Sequence, residues 1–183
     1  MKSKNQLREL ERYALSDDDI QAILAPHPTK IWNYPELKTL SNVNELFDDL
    51  GRAVILYDTI SPYSGHWTGM IQRENEIEFF DPYGIKYDEE KKWISKKKLE
   101  EFKETEPLLS NLLENGKQLG YKIIWNKHKY QKDGYNINTC GRWTAMRLLF
   151  RDLSATQFQK MIDASQLTPD EFVTQFTNEI INK

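Results

Sequence analysis

Three strand patterns in the middle of the chain constrain its fold most strongly. Residues 53–57 form a continuous apolar run of strand length, which is typical of a central strand buried on both faces. Residues 67–71 and Glu76–Phe80 follow, joined by a polar turn, and predict a β-hairpin. A further strand is predicted at residues 121–125. We therefore expect a central, mostly antiparallel sheet.

Helical patterns precede and follow the hairpin. Ser16, with three acids behind it, predicts the start of a short helix that ends at Pro26. Residues 43–50 are read as another helix, ended by Gly51. Residues 96–119 are helical in composition, and a proline divides them in two.

The last third of the chain is predicted to be helical. From Gly141 onward, apolar residues recur at three- and four-residue steps, which lays one stripe along a helix. Capping boxes at residues 154–157 and 168–171 predict two more helices. With no repeat, low-complexity tract or linker in view, we expect a single α+β domain over residues 1–183.

Composition excludes several classes of protein. The 25 Lys and Arg against 28 Asp and Glu give a net charge of −3, and hence no general attraction to nucleic acid or to an anionic membrane. No apolar run approaches the ~18 residues of a membrane span, and the charged N-terminal segment lacks the apolar core of a signal peptide. Residues 86–103 mix lysines with acids, Glu90 among them, and are predicted to form a solvated surface.

The single cysteine, Cys140, excludes an intramolecular disulfide and any multi-cysteine metal site, and it fits a reducing compartment. It stands where a helix is predicted to begin. A helix N-terminus favours an anion, so a thiolate there has a lowered pKa. The alternative is that Cys140 is a small buried apolar residue.

His66 and Asp81 are predicted to meet at one edge of the hairpin. His66 enters the first hairpin strand and Asp81 leaves the second, so the intervening length is that of one hairpin. Asp81 could then accept the imidazole N–H and orient the ring. The alternatives are an ordinary histidine and an Asp-Pro turn.

Gln131 precedes Cys140 in a polar, turn-prone stretch. Its side-chain amide and the backbone N–H of Cys140 could form an oxyanion hole, although a solvated loop glutamine is the simpler interpretation. The chain order His66, Asp81, Gln131, Cys140 excludes papain-type enzymes, in which the cysteine comes first.

The dipeptides His66-Trp67 and Cys140-Gly141, with Asp81 and Gln131 in this order, resemble the signature of the adenain-like and SUMO-deconjugating cysteine proteases. The likeness is to the versions carried by adenoviruses, virophages, Polinton-type elements and giant DNA viruses. It spans residues 66–140, with helices on both sides.

This resemblance implies a papain-like α+β cysteine endopeptidase of the adenain type. His66 would be the general base and then the acid, Asp81 would orient it, and Cys140 would attack the scissile carbonyl. Gln131 would help to hold the oxyanion, and Trp67 would roof the substrate groove. Neither a cofactor nor a metal is expected.

The resemblance further implies protein substrates, namely viral capsid or core proteins processed during virion maturation. We expect a monomer in the virion or the host-cell cytoplasm, with no membrane partner. A nucleic-acid or peptide activator is left open, because the net charge of −3 gives no support for carrying over the DNA stimulation of adenoviral relatives.

Three other functions remain open at this point. The same chemistry could serve a ubiquitin or ubiquitin-like deconjugase. An effector acetyltransferase that uses coenzyme A shares the His–acid–Cys arrangement. The chain could also be a binding protein with a vestigial site.

Overall fold

The computed structural model describes residues 4–61, 64–134 and 136–182. Five strands form one sheet in sequence order: β1 (Lys30–Asn33), β2 (Arg52–Ser61), β3 (Ser64–Arg73), β4 (Glu76–Phe80) and β5 (Lys122–Trp125). The β2–β3 and β3–β4 pairings are antiparallel, so the predicted hairpin is present. The outer pairings, β1–β2 and β4–β5, are parallel. The α+β class is confirmed, and the sheet is mixed, with its antiparallel pairings in the centre.

Both outer strands join the sheet after a crossover, as parallel pairing requires. Two 3₁₀ turns, Tyr34–Thr39 and Val43–Leu46, connect β1 to β2. Helical segments connect β4 to β5. Strand β1 was not predicted, because its four residues begin with a lysine and end with an asparagine and show little alternation of apolar and polar side chains.

The described residues contain seven α-helices, and the first of them was not predicted. Ser154 and Thr168 cap α6 and α7 with the predicted capping boxes, and the predicted N-cap Ser16 of α2 also forms one, with Asp19. None of these helices has both the length and the apolar content to cross a membrane. The helices are α1 (Lys4–Arg12), α2 (Asp17–Leu24), α3 (Lys96–Phe102), α4 (Leu108–Gln118), α5 (Cys140–Leu149), α6 (Ala155–Asp163) and α7 (Pro169–Ile181).

The predicted helix at residues 43–50 is wrong, since the chain makes only the 3₁₀ turn Val43–Leu46 there. The Asp48 carboxylate accepts the backbone N–H groups of Leu50 and Arg52 at 2.9 and 2.8 Å. An aspartate that bonds nearby backbone competes with helix formation, and here it turns the chain into β2.

Strand β2 forms the middle of the core. Ala53, Ile55 and Tyr57 belong to the apolar cluster formed with α4, whereas Val54 and Leu56 belong to the cluster formed with α2 and α5. Successive side chains of a strand point to opposite faces, so both faces of β2 are covered. The prediction of a central strand buried on both sides is confirmed.

Helix α5 is fastened directly to β3 and β4. The Thr144 hydroxyl donates to the Trp67 carbonyl at 3.1 Å. The buried Arg147 guanidinium donates two hydrogen bonds of 2.8 Å to the Glu78 carboxylate. Because Gly69 has no Cβ, the Thr144 methyl group can lie against β3. These contacts fix the position of the helix that begins at Cys140.

Replacing Arg147 with Met should lower the free energy of unfolding by about 3 kcal/mol, because Glu78 is left buried without its main partner. The expected loss is at the lower end for such changes, since Arg73 keeps a 2.9 Å contact with Glu78. Urea unfolding followed by circular dichroism measures it. Adding Glu78→Leu should restore part of the stability, and a double variant less stable than Arg147→Met would contradict this account.

Candidate active site

Cys140 is the first residue of α5, and its thiol is buried and unoxidised. Burial alone would raise the pKa of the thiol. The hydrogen bond and charge of His66, together with the backbone N–H groups of Trp67 and Gly141, outweigh burial and lower the pKa below its ordinary value. The predicted position at a helix N-terminus is confirmed, and these contacts stabilise the thiolate.

His66 lies on β3 opposite Tyr57, with its side chain almost completely buried. Its Nε2 lies 3.4 Å from Asp81 Oδ2, so Nδ1 is the ring nitrogen left for Cys140, which lines the same cavity. Burial alone would lower the pKa of His66. The Glu90 and Asp81 carboxyls and the bond to Cys140 raise that pKa well above its ordinary value, so the imidazolium is favoured.

Asp81 immediately follows β4 and is fully buried. Its Oδ1 accepts the backbone N–H of Tyr83, while its own backbone N–H and carbonyl are both bonded to the Asn126 side chain. Burial would raise the pKa of Asp81, but the His66 charge and these donors lower it. Oδ1 of Asp81 therefore stabilises the turn, while Oδ2 faces the imidazole. Asp81 thus has the geometry both of an Asp-Pro turn residue and of a partner for His66.

Glu90 is a second carboxyl at the same imidazole. It is the first residue of a 3₁₀ turn, Glu90–Trp93, and it is buried. Its Oε1 lies 3.5 Å from His66 Nε2. Burial and the neighbouring Asp81 raise the pKa of Glu90 well above its ordinary value, against the opposing effect of His66.

Glu90 was not predicted as a site residue, since residues 86–103 were expected to form a solvated surface. Its neighbour Glu89 is indeed exposed, but Lys91 is buried, and its ammonium donates to the Tyr34 hydroxyl and the Glu106 carbonyl. This segment is thus packed onto the sheet. Nothing in the run of acids at residues 88–90 distinguishes the buried member from the exposed one.

Gln131 reaches the same cavity as Cys140, but its amide is already engaged. The Gln131 Nε2 donates to the Tyr83 hydroxyl at 3.0 Å and to the Ile137 carbonyl at 3.1 Å. Its Oε1 is buried without a donor. Donation to an oxyanion would therefore require one of the two present bonds to be exchanged for a bond to substrate.

The segment before Cys140 is held from two sides. The buried Asp170 carboxylate accepts the Thr139 hydroxyl at 2.6 Å, the Trp143 indole N–H at 3.1 Å and the Lys132 backbone N–H at 3.1 Å. From the other side, the Asn138 backbone N–H and side chain donate to the end of α1. The first turn of α5 is therefore rigidly placed.

A cavity of about 530 Å³ opens beside the thiol. Lys98 is the basic side chain in its lining, and it is exposed. Such a volume accepts a short peptide segment. The lining of this cavity includes His66, Tyr83, Glu90, Gln131, Ile137 and Cys140.

Trp67 lines a second cavity, of about 450 Å³, together with residues of the α1–α2 connection and β1. Its indole N–H donates to the Leu15 carbonyl at 3.0 Å, and a Cβ added to Gly141 would lie 3.1 Å from its ring. Trp67 is therefore a core residue as well as a cavity wall. Gly65 lines both cavities, so they adjoin beside His66.

In the part of the chain that the structure describes, one group of side chains could offer three ligand atoms to a metal: His66, Asp81 and Glu90, within 4.8 Å of one another. Their polar atoms can also satisfy one another through shared protons, since a carboxylic acid and an N–H are donors.

No protein-family model matches the chain. Its structure is similar to the central domain of Lpg1148 from Legionella pneumophila, with 16% identity, a TM-score of 0.47, and coverage of 93% of this chain and 98% of that one. It is also similar to the ASFV pS273R protease, with 13% identity and a TM-score of 0.48, over 93% of this chain and 68% of that one. A third similar structure is the C-terminal Ulp1 protease domain in complex with Smt3, the yeast ortholog of SUMO. Its identity to this chain is 14% and the TM-score is 0.42, over 98% of this chain and 83% of that one. These likenesses are distant.

The relationship in sequence is much stronger. The uncharacterized protein V9 of Sputnik virophage is 35% identical to this chain over 177 residues, which are 94% of this chain and 98% of V9. An identity of this size extends over nearly the whole length of both proteins. The chain therefore belongs to the family of the Sputnik virophage protein V9.

Proposed function

We propose that the chain is a cysteine endopeptidase with a papain-like fold of the adenain type. The observation that carries the proposal is that the Cys140 thiol, at the start of α5, lies beside His66 in one cavity, while Nε2 of His66 lies 3.4 Å from Asp81 Oδ2. A thiol and an imidazole in contact, with the imidazole oriented by a third group, form the arrangement of an activated nucleophile.

Acylation begins from the thiolate and imidazolium. The Cys140 sulfur forms a bond to the scissile carbonyl carbon, and the carbonyl electron pair moves to the oxygen. When the tetrahedral intermediate collapses, the C–N bond breaks, and the Nδ1 proton of His66 passes to the leaving amine. The product is a thioester on Cys140.

Deacylation uses the same groups in reverse. Neutral His66 takes a proton from water at Nδ1, and the hydroxide attacks the thioester carbon. The C–S bond then breaks, and the acid product leaves. Asp81, ionised throughout, keeps the Nε2 proton in place and so maintains the tautomer that the reaction needs.

The developing oxyanion needs hydrogen-bond donors that are in place before the reaction. The backbone N–H of Cys140 lies at the unpaired start of α5 and is the first donor. Gln131 is the second, because its amide faces the same cavity. The bond from its Nε2 to Ile137 or Tyr83 would be exchanged for one to the oxyanion.

The two adjoining cavities support a polypeptide substrate that passes His66 beside Gly65, with Trp67 as a wall on one side. A relative encoded by a virophage supports a viral role. We therefore propose that the chain, as a monomer in the virion or the host-cell cytoplasm, processes viral structural proteins during virion maturation.

Substituting Cys140 with Ala should reduce peptide cleavage to less than about 1%, because loss of one member of a catalytic unit approaches loss of the whole unit. The probe is a proteome-derived peptide library analysed by mass spectrometry, with ubiquitin and SUMO chains in parallel. Circular dichroism checks that the variant is folded. A Cys140→Ala variant that still cleaves peptides would overturn the proposal. Wild-type protein that cleaves the ubiquitin or SUMO chains but no library peptide would indicate a deconjugase.

The rate of Cys140 alkylation by iodoacetamide should have its pH midpoint well below the ~8.5 of a free thiol. The interaction of Cys140 with His66 raises the His66 pKa and lowers the Cys140 pKa. The thiolate–imidazolium pair therefore exists between these two pKa values, and the thiolate is lost as pH falls through the pKa of Cys140. His66→Ala should move the midpoint upward, because burial is then opposed only by the backbone N–H groups of Trp67 and Gly141. The exposed His27 gives the control His27→Ala, and an upward shift in that variant as well would contradict the pair.

Gln131→Ala should lower kcat about 10²–10³-fold, the usual effect of losing one oxyanion donor, with little change in KM. Gln131→Glu should be as damaging, because a carboxylate repels the oxyanion. Alkylation of Cys140 should survive both changes, since that displacement forms no oxyanion. Gln118→Ala, at an exposed position of α4, is the control. A normal kcat would assign the second donor elsewhere, and lost alkylation would mean that Gln131 supports the loop.

A further inference from the structure

Three buried polar atoms converge on the side of the His66 ring that faces away from Cys140. They are Nε2 of His66, Oδ2 of Asp81 and Oε1 of Glu90, and the two carboxyl oxygens lie 3.4 and 3.5 Å from the nitrogen. With both carboxyls ionised, all three atoms are buried without an adequate hydrogen-bond partner. Buried polar groups in native proteins are almost always bonded, so a proton belongs in this group.

The proton count decides which carboxyl carries it. Two ionised carboxylates in contact repel each other strongly, and one of them takes a proton. Asp81 accepts the Tyr83 N–H and faces the imidazolium, so it stays ionised. Glu90 is 4% exposed and lies against Asp81, so little water is available to support a second negative charge. Glu90 therefore holds the proton.

We propose that Glu90, as a neutral carboxylic acid, is a positioning residue for the His66–Asp81 pair, donating its O–H to Asp81 and presenting Oε1 to the Nε2 proton of His66. This inference rests on the proposed function, since it assigns a role within that same site. Glu90 is not a catalytic residue, because it acts on His66 and Asp81 and touches no reacting atom.

The arrangement places a single negative charge, that of Asp81, behind the imidazolium. The donor from Glu90 stabilises the ionised form of Asp81 and holds it against the ring. The other titratable groups that face this site are Cys140 at the start of α5, Tyr83 stacked on the His66 ring, and Tyr57 on β2 beside Glu90. Lys98 lines the rim of the cavity and is exposed.

Two variants of the full chain separate the proton from the charge. Glu90→Gln keeps a donor for Asp81 and an oxygen for His66, so it should shift the pH midpoint of Cys140 alkylation and lower the kcat for peptide cleavage much less than Glu90→Ala does. Glu90→Ala removes both contacts. It should move the midpoint upward, by less than His66→Ala does, and lower kcat about tenfold with little change in KM, as expected for loss of a hydrogen bond to a charged group.

Glu89→Gln makes the same formal change at the neighbouring exposed position and should leave both readouts unchanged. If Glu90→Gln shifts the midpoint as far as Glu90→Ala, the charge of Glu90 matters and the neutral acid is excluded. A wild-type profile in Glu90→Ala would exclude the positioning role. If Glu90→Ala does not fold, Glu90→Gln is compared with the wild type and with His66→Ala, and a midpoint nearer to that of His66→Ala excludes the neutral acid.

The alkylation profile needs no peptide substrate, so the two proposals can fail separately. A wild-type thiol activated by His66 and shifted by Glu90→Ala, in a protein that cleaves no peptide, would sustain the role of Glu90 and overturn the peptidase. A wild-type midpoint equal to that of a free thiol would overturn both. Peptide cleavage that depends on Cys140 but is insensitive to Glu90→Ala would overturn the role of Glu90 alone.

Discussion

A buried ion pair between Arg147 and Glu78 holds helix α5 against the sheet, and the whole site depends on this position. The guanidinium makes two contacts of 2.8 Å to the carboxylate of β4, while the Thr144 hydroxyl is bonded to the Trp67 carbonyl on β3. A helix of ten residues is rigid at this scale, so contacts one and two turns along it determine where Cys140 lies. The candidate nucleophile is thus placed by a salt bridge that takes no part in the proposed chemistry.

A second buried carboxylate, Asp170, holds the segment that leads into α5. It accepts donors from Thr139 and Trp143 on one side and from the Lys132 backbone on the other. Because it lies in the first turn of α7, the helix dipole stabilises its negative charge. The chain is therefore fixed at Lys132 and again at Thr139, and the proposed oxyanion donors, the Gln131 amide and the Cys140 N–H, lie next to these two points.

The chemistry at His66 depends on burial as much as on proximity. Burial alone would lower the His66 pKa and raise the Cys140 pKa, and both shifts are reversed because each group lies against the other and against hydrogen-bonding partners. Asp81 and Glu90 close the far side of the ring, where water would otherwise compete for Nε2. A carboxylate and a carboxylic acid that share a proton supply one negative charge there, which avoids the repulsion of two.

Local signals in the sequence determined where α2, α6 and α7 begin, the β3–β4 hairpin, and the placement of Cys140 at a helix start, because caps, turns and periodicity act over a few residues. Only the tertiary structure decided the rest. The parallel outer strands depend on crossovers, and the Gln131 amide is bonded to groups that its own spacing does not reveal. Glu90 is buried while Glu89 is exposed, because burial is decided by what packs over a side chain, here β3 and the turn after β4.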